Sequence, residues 1–346
     1  MFNGLAQIYG VDLGTSNTLI YQQGKGIVLQ EPSVVAISTE TGDVVAIGSE
    51  AEAMIGRTPG SIEVIHPLKD GVIANFDMTS AMLKHFIGKV QKGRMLFKSA
   101  QFYIAVPCGI TSVQRRAVEE TVIHKGARKA QIVEEPLAAA WGAGLPVQEP
   151  TGCMILDIGG GTSQVAVISL GGIVVSHTIR RGGMSIDQDI VDYVKKTYNM
   201  EIGYRTAEEI KKQIATAVWP DQPVQIDVRG RDLVYGLPRS ISLDSLEIHG
   251  LLGSFFTSIT DSIRITMEQC PPELAGDLME RGVTLCGGGA LMHGLAARLQ
   301  MDTGVPFHMP EQPLECTVLG VGKMMGGKRA AVSTTAAPNS SETASA

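Results

Sequence analysis

Cysteine is sparse in this chain of 346 residues: five, at Cys108, Cys153, Cys270, Cys286 and Cys316, with no Cys-x-x-Cys pair among them. That spacing excludes a disulfide scaffold or a zinc ribbon and predicts buried, reduced thiols. The seven histidines also lack metal-ligand spacing, and His124 and His293 fall near expected helix ends, where capping or solvent contact is the simpler role. No run of eighteen apolar residues is present, which excludes a conventional membrane-spanning helix. Excess positive charge is missing as well. With 29 Lys and Arg against 35 Asp and Glu, a net charge of −6 argues against nonspecific nucleic-acid binding, and no nucleic-acid partner is expected. The start, Met1-Phe2-Asn3-Gly4-Leu5, shows neither a basic segment nor a long apolar one, so the expected compartment is the cytoplasm.

The composition, 44% hydrophobic and 18% charged, is that of a soluble globular protein, and the length predicts two lobes rather than one. Two aspartate-led glycine turns stand nearly half a chain apart in strand-like settings. They are Asp12-Leu13-Gly14-Thr15-Ser16-Asn17 and Asp157-Ile158-Gly159-Gly160-Gly161-Thr162. Glycines let backbone N–H groups approach phosphate oxygens with no Cβ in the way, and the Thr and Ser hydroxyls add donors for the same anion. Aspartate repels phosphate, so the natural role of the two carboxylates is to hold Mg²⁺ through water. A third run, Gly287-Gly288-Gly289, follows the apolar stretch Val283-Thr284-Leu285-Cys286 and offers a third wall. One glycine run alone is an ordinary turn; three in this order suggest one nucleotide gripped between duplicated halves.

Periodicity supports that organisation. Strands are expected over residues 7–13, 18–22, 26–29, 34–37 and 44–47. A helix over 78–90 follows, with Met82, Leu83, Phe86, Ile87 and Val90 on one face, and then a buried strand over 102–106 halted by Pro107. Thr111 with Gln114 forms a capping box for a helix to about residue 125. A strand over 130–133 leads to Pro136 in the first turn of a helix over 137–142. After Pro146 and Pro150 the opening pattern restarts: strand, Asp-Gly turn, strand over 164–169, Gly171-Gly172 turn, strand over 173–178. Residues 222–243 read as hairpins. Leu252, Phe255, Phe256, Ile259, Ile263 and Met267 mark a long helix stopped by Pro271-Pro272. Strands followed by helices, twice over, indicate two α/β lobes. The Ala-, Ser- and Thr-rich end from 327 to 346 is expected to be disordered.

Several segments together resemble the MreB family of bacterial actins over about residues 8–326. They are the first turn continued through Leu19-Ile20-Tyr21, Glu31-Pro32-Ser33-Val34-Val35, Gly56-Arg57-Thr58-Pro59-Gly60, Lys69-Asp70-Gly71-Val72-Ile73-Ala74, Glu134-Glu135-Pro136, Arg205-Thr206-Ala207-Glu208, Pro271-Pro272-Glu273-Leu274 and the triple glycine. The looser outline is shared with actins, sugar kinases and heat-shock chaperone ATPases. The resemblance implies an α/β, actin-like two-lobe fold, with duplicated mixed sheets flanked by helices and a nucleotide cleft between the lobes. The first lobe would span 1–145 with an insertion at about 32–67. The second would span 146–326 with an insertion at about 180–249, its last part, about 310–326, packing back on the first. It further implies an ATP-dependent, filament-forming protein on the inner face of the cell membrane that maintains rod shape by directing cell-wall synthesis. Its partners would be further copies of itself, the membrane surface and membrane proteins of the elongation machinery.

Carried over by position, the resemblance assigns phosphate contacts to Thr15, Ser16 and Asn17 on one side and to Gly159, Gly160, Gly161 and Thr162 on the other. Asp12 and Asp157 would organise Mg²⁺. Glu208, Lys211 and Lys212 share a helix face that in relatives reaches the adenosine, the plainer alternative being a solvated charged face. Gly287, Gly288, Gly289 and Ala290, with Leu291, would pack against the nucleotide. Glu135, at a strand-to-helix junction, would align the water that attacks the γ-phosphate, with Thr162 as helper. Alternatively, Glu135 serves only as a carboxylate at a helix N-terminus. Two departures from the family pattern stand out. Thr162-Ser163-Gln164-Val165 replaces Thr-Thr-Glu-Val, a loss of carboxylate that suggests slower hydrolysis. Gly182-Gly183-Met184-Ser185 lacks an acidic pair while Asp187 is kept.

Lys92-Gly93-Arg94-Met95-Leu96-Phe97-Lys98 places Met95, Leu96 and Phe97 between cations, which suits insertion at an anionic membrane surface; the alternative is the start of a buried strand. Relatives carry a hydrophobic membrane loop here. Phe2 and Leu5, with Ile8, would form a weak second anchor, multiplied by avidity along a polymer. Against the slow, assembly-coupled ATPase stand a binding-only filament protein, suggested by Gln164, and a small-molecule kinase of the same fold. A chaperone-type ATPase would need a substrate domain after the core, where only a short polar tail follows.

Overall fold

Two five-stranded sheets with the same strand order form the framework, and the chain builds them in two passes. The computed structural model describes residues 7–90, 100–123 and 127–326. In the first pass β1 (Ile8–Leu13), β2 (Asn17–Gln22) and β3 (Gly26–Pro32) are followed by β4 (Val35–Ser38), β5 (Val44–Ile47), the one-turn α1 (Ser49–Glu52), β6 (Ile62–Ile65) and a tight hairpin of β7 (Leu68–Lys69) and β8 (Val72–Ile73). Then come α2 (Phe76–Val90), β9 (Gln101–Val106), α3 (Ser112–Ile123), β10 (Lys129–Glu134) and α4 (Glu135–Gly142). The second pass runs through β11 (Cys153–Ile158), β12 (Ser163–Ser169), β13 (Gly172–Ile179), α5 (Gly183–Tyr198), β14 (Met200–Glu201), α6 (Tyr204–Ile214), β15 (Gln225–Asp232) and β16 (Pro238–Asp244). It closes with α7 (Ser245–Leu251), α8 (Gly253–Glu268), α9 (Pro272–Arg281), β17 (Val283–Cys286), a short 3-10 turn at Gly288–Leu291, α10 (Leu295–Thr303), β18 (Phe307–His308) and α11 (Cys316–Gly326).

The first sheet is ordered β10-β9-β1-β2-β3 and the second β18-β17-β11-β12-β13. In each, the central strand pairs antiparallel with the strand after its glycine turn and parallel with a strand that arrives much later, so both sheets are mixed. The registers correspond too. Asp12 lies opposite Leu19 and Ala105, and Asp157 lies opposite Gln164 and Cys286. The two aspartates therefore occupy the penultimate positions of equivalent central strands. Smaller sheets, β5-β4-β6 and β14-β15-β16, are set between the main elements of each pass.

Local sequence explains the elements. The α2 face of Met82, Leu83, Phe86 and Ile87 is buried at helical spacing, and α3 opens on a reciprocal capping box. There Gln114 N–H donates to Thr111 Oγ1 and Thr111 N–H to Gln114 Oε1. Both faces of β11 and β12 are covered, which is why Met154-Ile155-Leu156 and Val165-Ala166-Val167-Ile168 read as continuous apolar runs. Phe255, Phe256, Ile259 and Ile263 bury the inner stripe of α8 before Pro271 and Pro272 end the run. Fully burying one such side chain contributes about 1.5–3 kcal/mol. All five cysteines are buried free thiols.

The core has three main parts. One packs α2 and α3 on the first sheet around Val11, Phe86 and Phe102, and one packs the helices of the second pass on the second sheet around Leu156, Phe256 and Leu285. The third joins the sheets, with Ala105 and Val133 from the first, Ile155 and Ala166 from the second, and Ala138, Ala139 and Val321 of α4 and α11 between them. Helices α4 and α11 approach so closely that a Cβ on Gly142 would overlap the Cys316 carbonyl and one on Gly320 that of Ala138. Glu135 is the first residue of α4, with Pro136 in its first turn.

Candidate functional site

The two aspartate-led turns face each other across the gap between the sheets. A Cβ on Gly160 would overlap Ser16 Oγ, and one on Gly161 would meet Thr15 Oγ1 at 2.6 Å. Each turn is held from behind. Ser33, fully buried, donates its hydroxyl to Gly14 O at 2.7 Å and pairs with Thr18 Oγ1 at 2.9 Å, while its backbone N–H donates to Ser16 O. In the second turn Gly159 N–H closes onto Thr162 O at 2.8 Å. The first N–H groups of α5 then anchor it, from Gly183 to Gly159 O at 3.0 Å and from Met184 to Gly160 O at 2.8 Å. Because that last bond comes from the backbone, the change to Met184 leaves the anchor in place. The β7–β8 hairpin covers the junction: Gly71 N–H donates to Thr15 Oγ1 at 3.1 Å, and a Cβ on Gly71 would meet Thr162 Cγ2 and Pro107 Cγ, each at 2.8 Å.

Three carboxyl groups share the floor. Burial, then the neighbouring Asp157 charge, pushes Asp12 up to about 7. Burial likewise pushes Asp157 up to about 6, against a Thr317 hydroxyl that donates to its Oδ2 at 3.4 Å. Glu135 is raised well above the usual carboxylate range by burial and by the charges of Asp12 and Asp157, and Gln164, which donates to its Oε2, pulls the other way. Clustered carboxyls that resist ionisation are what a divalent cation would neutralise. No group of three His, Cys, Asp or Glu among the described residues is placed to hold a metal ion by itself. A cation here would take its remaining ligands from water and phosphate, which fits the reluctance of Mg²⁺ to shed water. The glycine cradle and the acidic floor thus fit a magnesium nucleotide.

The third glycine run adjoins the same floor. Gly287, at φ 78°, packs so closely that a Cβ would overlap Asp157 Oδ1, and Gly289 abuts the Ile158 side chain. Gly288 lies near Leu314, and Ala290 is buried in the second core.

The remaining residues singled out from sequence lie further off or are otherwise engaged. Asn17 is exposed at the start of β2. Lys211 donates to Gly183 O at 2.9 Å and to Asp187 Oδ2 at 2.8 Å, tying α6 to the start of α5. Glu208 and Lys212 form an exposed i, i+4 ion pair at 2.8 Å. Phe2, Leu5, Met95, Leu96 and Phe97 lie outside the described residues, while Ile8 is taken up in β1 opposite Gln101. Sequence reading gave no role to Ser33, to Gly71 or to the Cys108 N–H, and it noted Gln164 only as a lost carboxylate. No helix among the described residues is long and apolar enough to cross a membrane.

Comparison with known proteins accords with this geometry. The MreB/Mbl protein family profile matches residues 6–332. The chain is 49% identical over 319 residues to the cell shape-determining protein MreB of Escherichia coli (strain K12), covering 91% of this chain and 92% of that one. It is 47% identical over 322 residues to the cell shape-determining protein Mbl of Bacillus subtilis (strain 168), covering 92% and 96%. Among solved structures, MreB5 of Spiroplasma citri bound to AMPPNP superposes with a TM-score of 0.89 at 38% identity, covering 92% of this chain and 96% of that one. The architecture is the actin-like one expected from the sequence, and the chain belongs to the MreB/Mbl family of cell shape-determining proteins.

Proposed function

We propose that this protein is the subunit of an ATP-dependent cytoskeletal filament that maintains cell shape from the inner face of the cell membrane by directing cell-wall synthesis. The observation that carries the nucleotide reading is the apposition of Thr15 and Ser16 to Gly161 and Gly160, two donor-rich turns on separate sheets with Asp12, Asp157 and Glu135 beneath them. The binding of AMPPNP by the Spiroplasma citri neighbour and the cell-shape names of the curated relatives support it.

In this reading Thr15, Ser16 and Asn17 bind the phosphates from one side and the turn Gly159–Thr162 from the other, through the N–H groups of Gly160, Gly161 and Thr162 while the Gly159 N–H closes the turn onto Thr162 O, and Gly287–Ala290 borders the adenosine. Asp12 and Asp157 would hold Mg²⁺ through water, and the ion would supply positive charge to offset the charge that develops during phosphoryl transfer. Glu135 orients the attacking water, and Thr162 assists; positioning of this kind supplies most of the catalysis in phosphoryl transfer. The lobes are residues 1–145 and 146–326, with insertions at about 32–67 and 180–249, and α11 bridges back to the first. Head-to-tail contacts between such subunits generate open filaments. Membrane contact is assigned to Met95–Phe97 and to the N-terminal Phe2 and Leu5, each weak alone and strong in a polymer.

Co-sedimentation with anionic liposomes, with and without Mg²⁺-ATP, followed by negative-stain electron microscopy, tests this proposal. Nucleotide-dependent filaments on lipid are expected. A monomer under every condition would overturn it and reopen the search for a phosphoryl acceptor.

A further inference from the structure

Gln164 sits on β12, 2% exposed, directly across the ladder from Asp157. The matching place in the first sheet, across from Asp12, is filled by the buried Leu19. Since the two sheets share order and register here, the architecture accepts an apolar side chain at this point. A buried amide is costly unless its polar atoms are paired.

Both ends of the Gln164 amide are paired, and both partners follow closely on neighbouring strands of the other sheet, β9 and β10. Its Oε1 accepts the backbone N–H of Cys108 at 2.8 Å, in the turn after β9, and its Nε2 donates to Glu135 Oε2 at the start of α4. A backbone N–H can only donate, so the first bond settles the orientation of the amide. Oxygen faces Cys108, and the NH₂ group faces the carboxyl. Glu135 Oε2 is thereby committed as an acceptor, and Oε1 is left for water. A glutamate in place of Gln164 would accept from Cys108 equally well but could offer Glu135 a hydrogen only when protonated.

We infer that Gln164 is a positioning residue for ATP hydrolysis: it aims the Glu135 carboxyl at the attacking water, and it does so only while the two sheets keep this relative arrangement. The inference rests on the ATPase reading above and adds to it a link between hydrolysis and the approach of the sheets, carried by one side chain. Any rotation that separates β12 from the Cys108 turn breaks both bonds and frees the carboxyl to turn. The replacement of a carboxylate at this position is then a functional group with its own geometry as well as a loss.

The test is a double-mutant cycle on the full-length protein, using Gln164→Met, which nearly conserves volume, Gln164→Ala as a second variant, and Glu135→Ala. Single-turnover phosphate release from Mg²⁺-ATP and equilibrium titration with a fluorescent ATP analogue are measured for each. We expect Gln164→Met and Gln164→Ala to slow release about tenfold at unchanged nucleotide affinity. With Glu135→Ala already present, we expect less than about a twofold further effect, because the two side chains act as one unit. Release at the wild-type rate, losses that multiply, or a parallel loss of affinity would overturn the positioning role while leaving the ATPase reading intact. A wild-type protein that binds ATP and never releases phosphate would overturn both.

Discussion

Thr15 and Gly161 come from turns almost half a chain apart, yet a Cβ on the glycine would sit 2.6 Å from the threonine hydroxyl and 3.0 Å from its Cβ. The two turns follow β1 and β11, the central strands of two sheets with the same strand order. Their closeness explains why the turn needs glycine: a side chain would fill the space in which backbone donors from both turns can reach one anion.

Ser33 is fully buried, and its hydroxyl and backbone N–H hold Gly14 and Ser16 in place. Ser33→Ala strands the Gly14 carbonyl and the Thr18 hydroxyl, which should cost about 1–3 kcal/mol. Urea unfolding should show the loss, and nucleotide affinity should fall with it because the first turn loosens.

Lys211 links α6 to the start of α5, the helix whose first N–H groups anchor Gly159 and Gly160. Its ion pair with Asp187 is mostly buried, with side-chain exposures of 16% and 9%. Lys211→Met leaves that carboxylate uncompensated and should destabilise by about 2–4 kcal/mol. Adding Asp187→Asn should recover most of the loss. Thermal melts of the single and double variants would show this, and a double variant no more stable than the single would contradict it.

Asp12 is raised to about 7 and Asp157 to about 6, each from an ordinary value of 3.8, chiefly by burial. A carboxyl raised on folding favours the folded state in its protonated form. That contribution is complete below the unfolded value and is lost as pH rises through the folded one. In chelator, without nucleotide, the protein should therefore melt several degrees higher near about pH 5 than near about pH 8. Asp12→Asn should narrow that gap by removing one titration, while weakening the binding of Mg²⁺-ATP. Melting curves across the pH series check both parts.

Much of this was legible in the sequence because it is local. The glycine turns carry their own backbone chemistry, the Thr111–Gln114 capping box spans three residues, and the stripes of α2 and α8 show at helical spacing. Glu135 at a strand-to-helix junction followed from Pro136 and the apolar run before it. What was not legible depends on strand pairing between distant segments. Nothing near Gln164 in sequence announces that its amide meets Cys108 and Glu135, 56 and 29 positions away. Ser33 looks like an ordinary strand-end hydroxyl until β2 and β3 pair and bring it beneath Gly14. Lys211 illustrates the reverse case. Helical spacing placed it on a face with Glu208 and Lys212, but the packing of α6 on α5 turned it to Asp187.

The most direct test of the account is an equilibrium titration of a fluorescent ATP analogue in Mg²⁺, competed with unlabelled ATP, on the wild-type protein and on Gly161→Val. The wild type should bind one nucleotide per chain, and the valine, whose Cβ collides with the buried Thr15 side chain, should weaken binding at least about tenfold and also lower the thermal melt. Equal affinity in the two proteins would contradict the assignment of this cleft as the phosphate site.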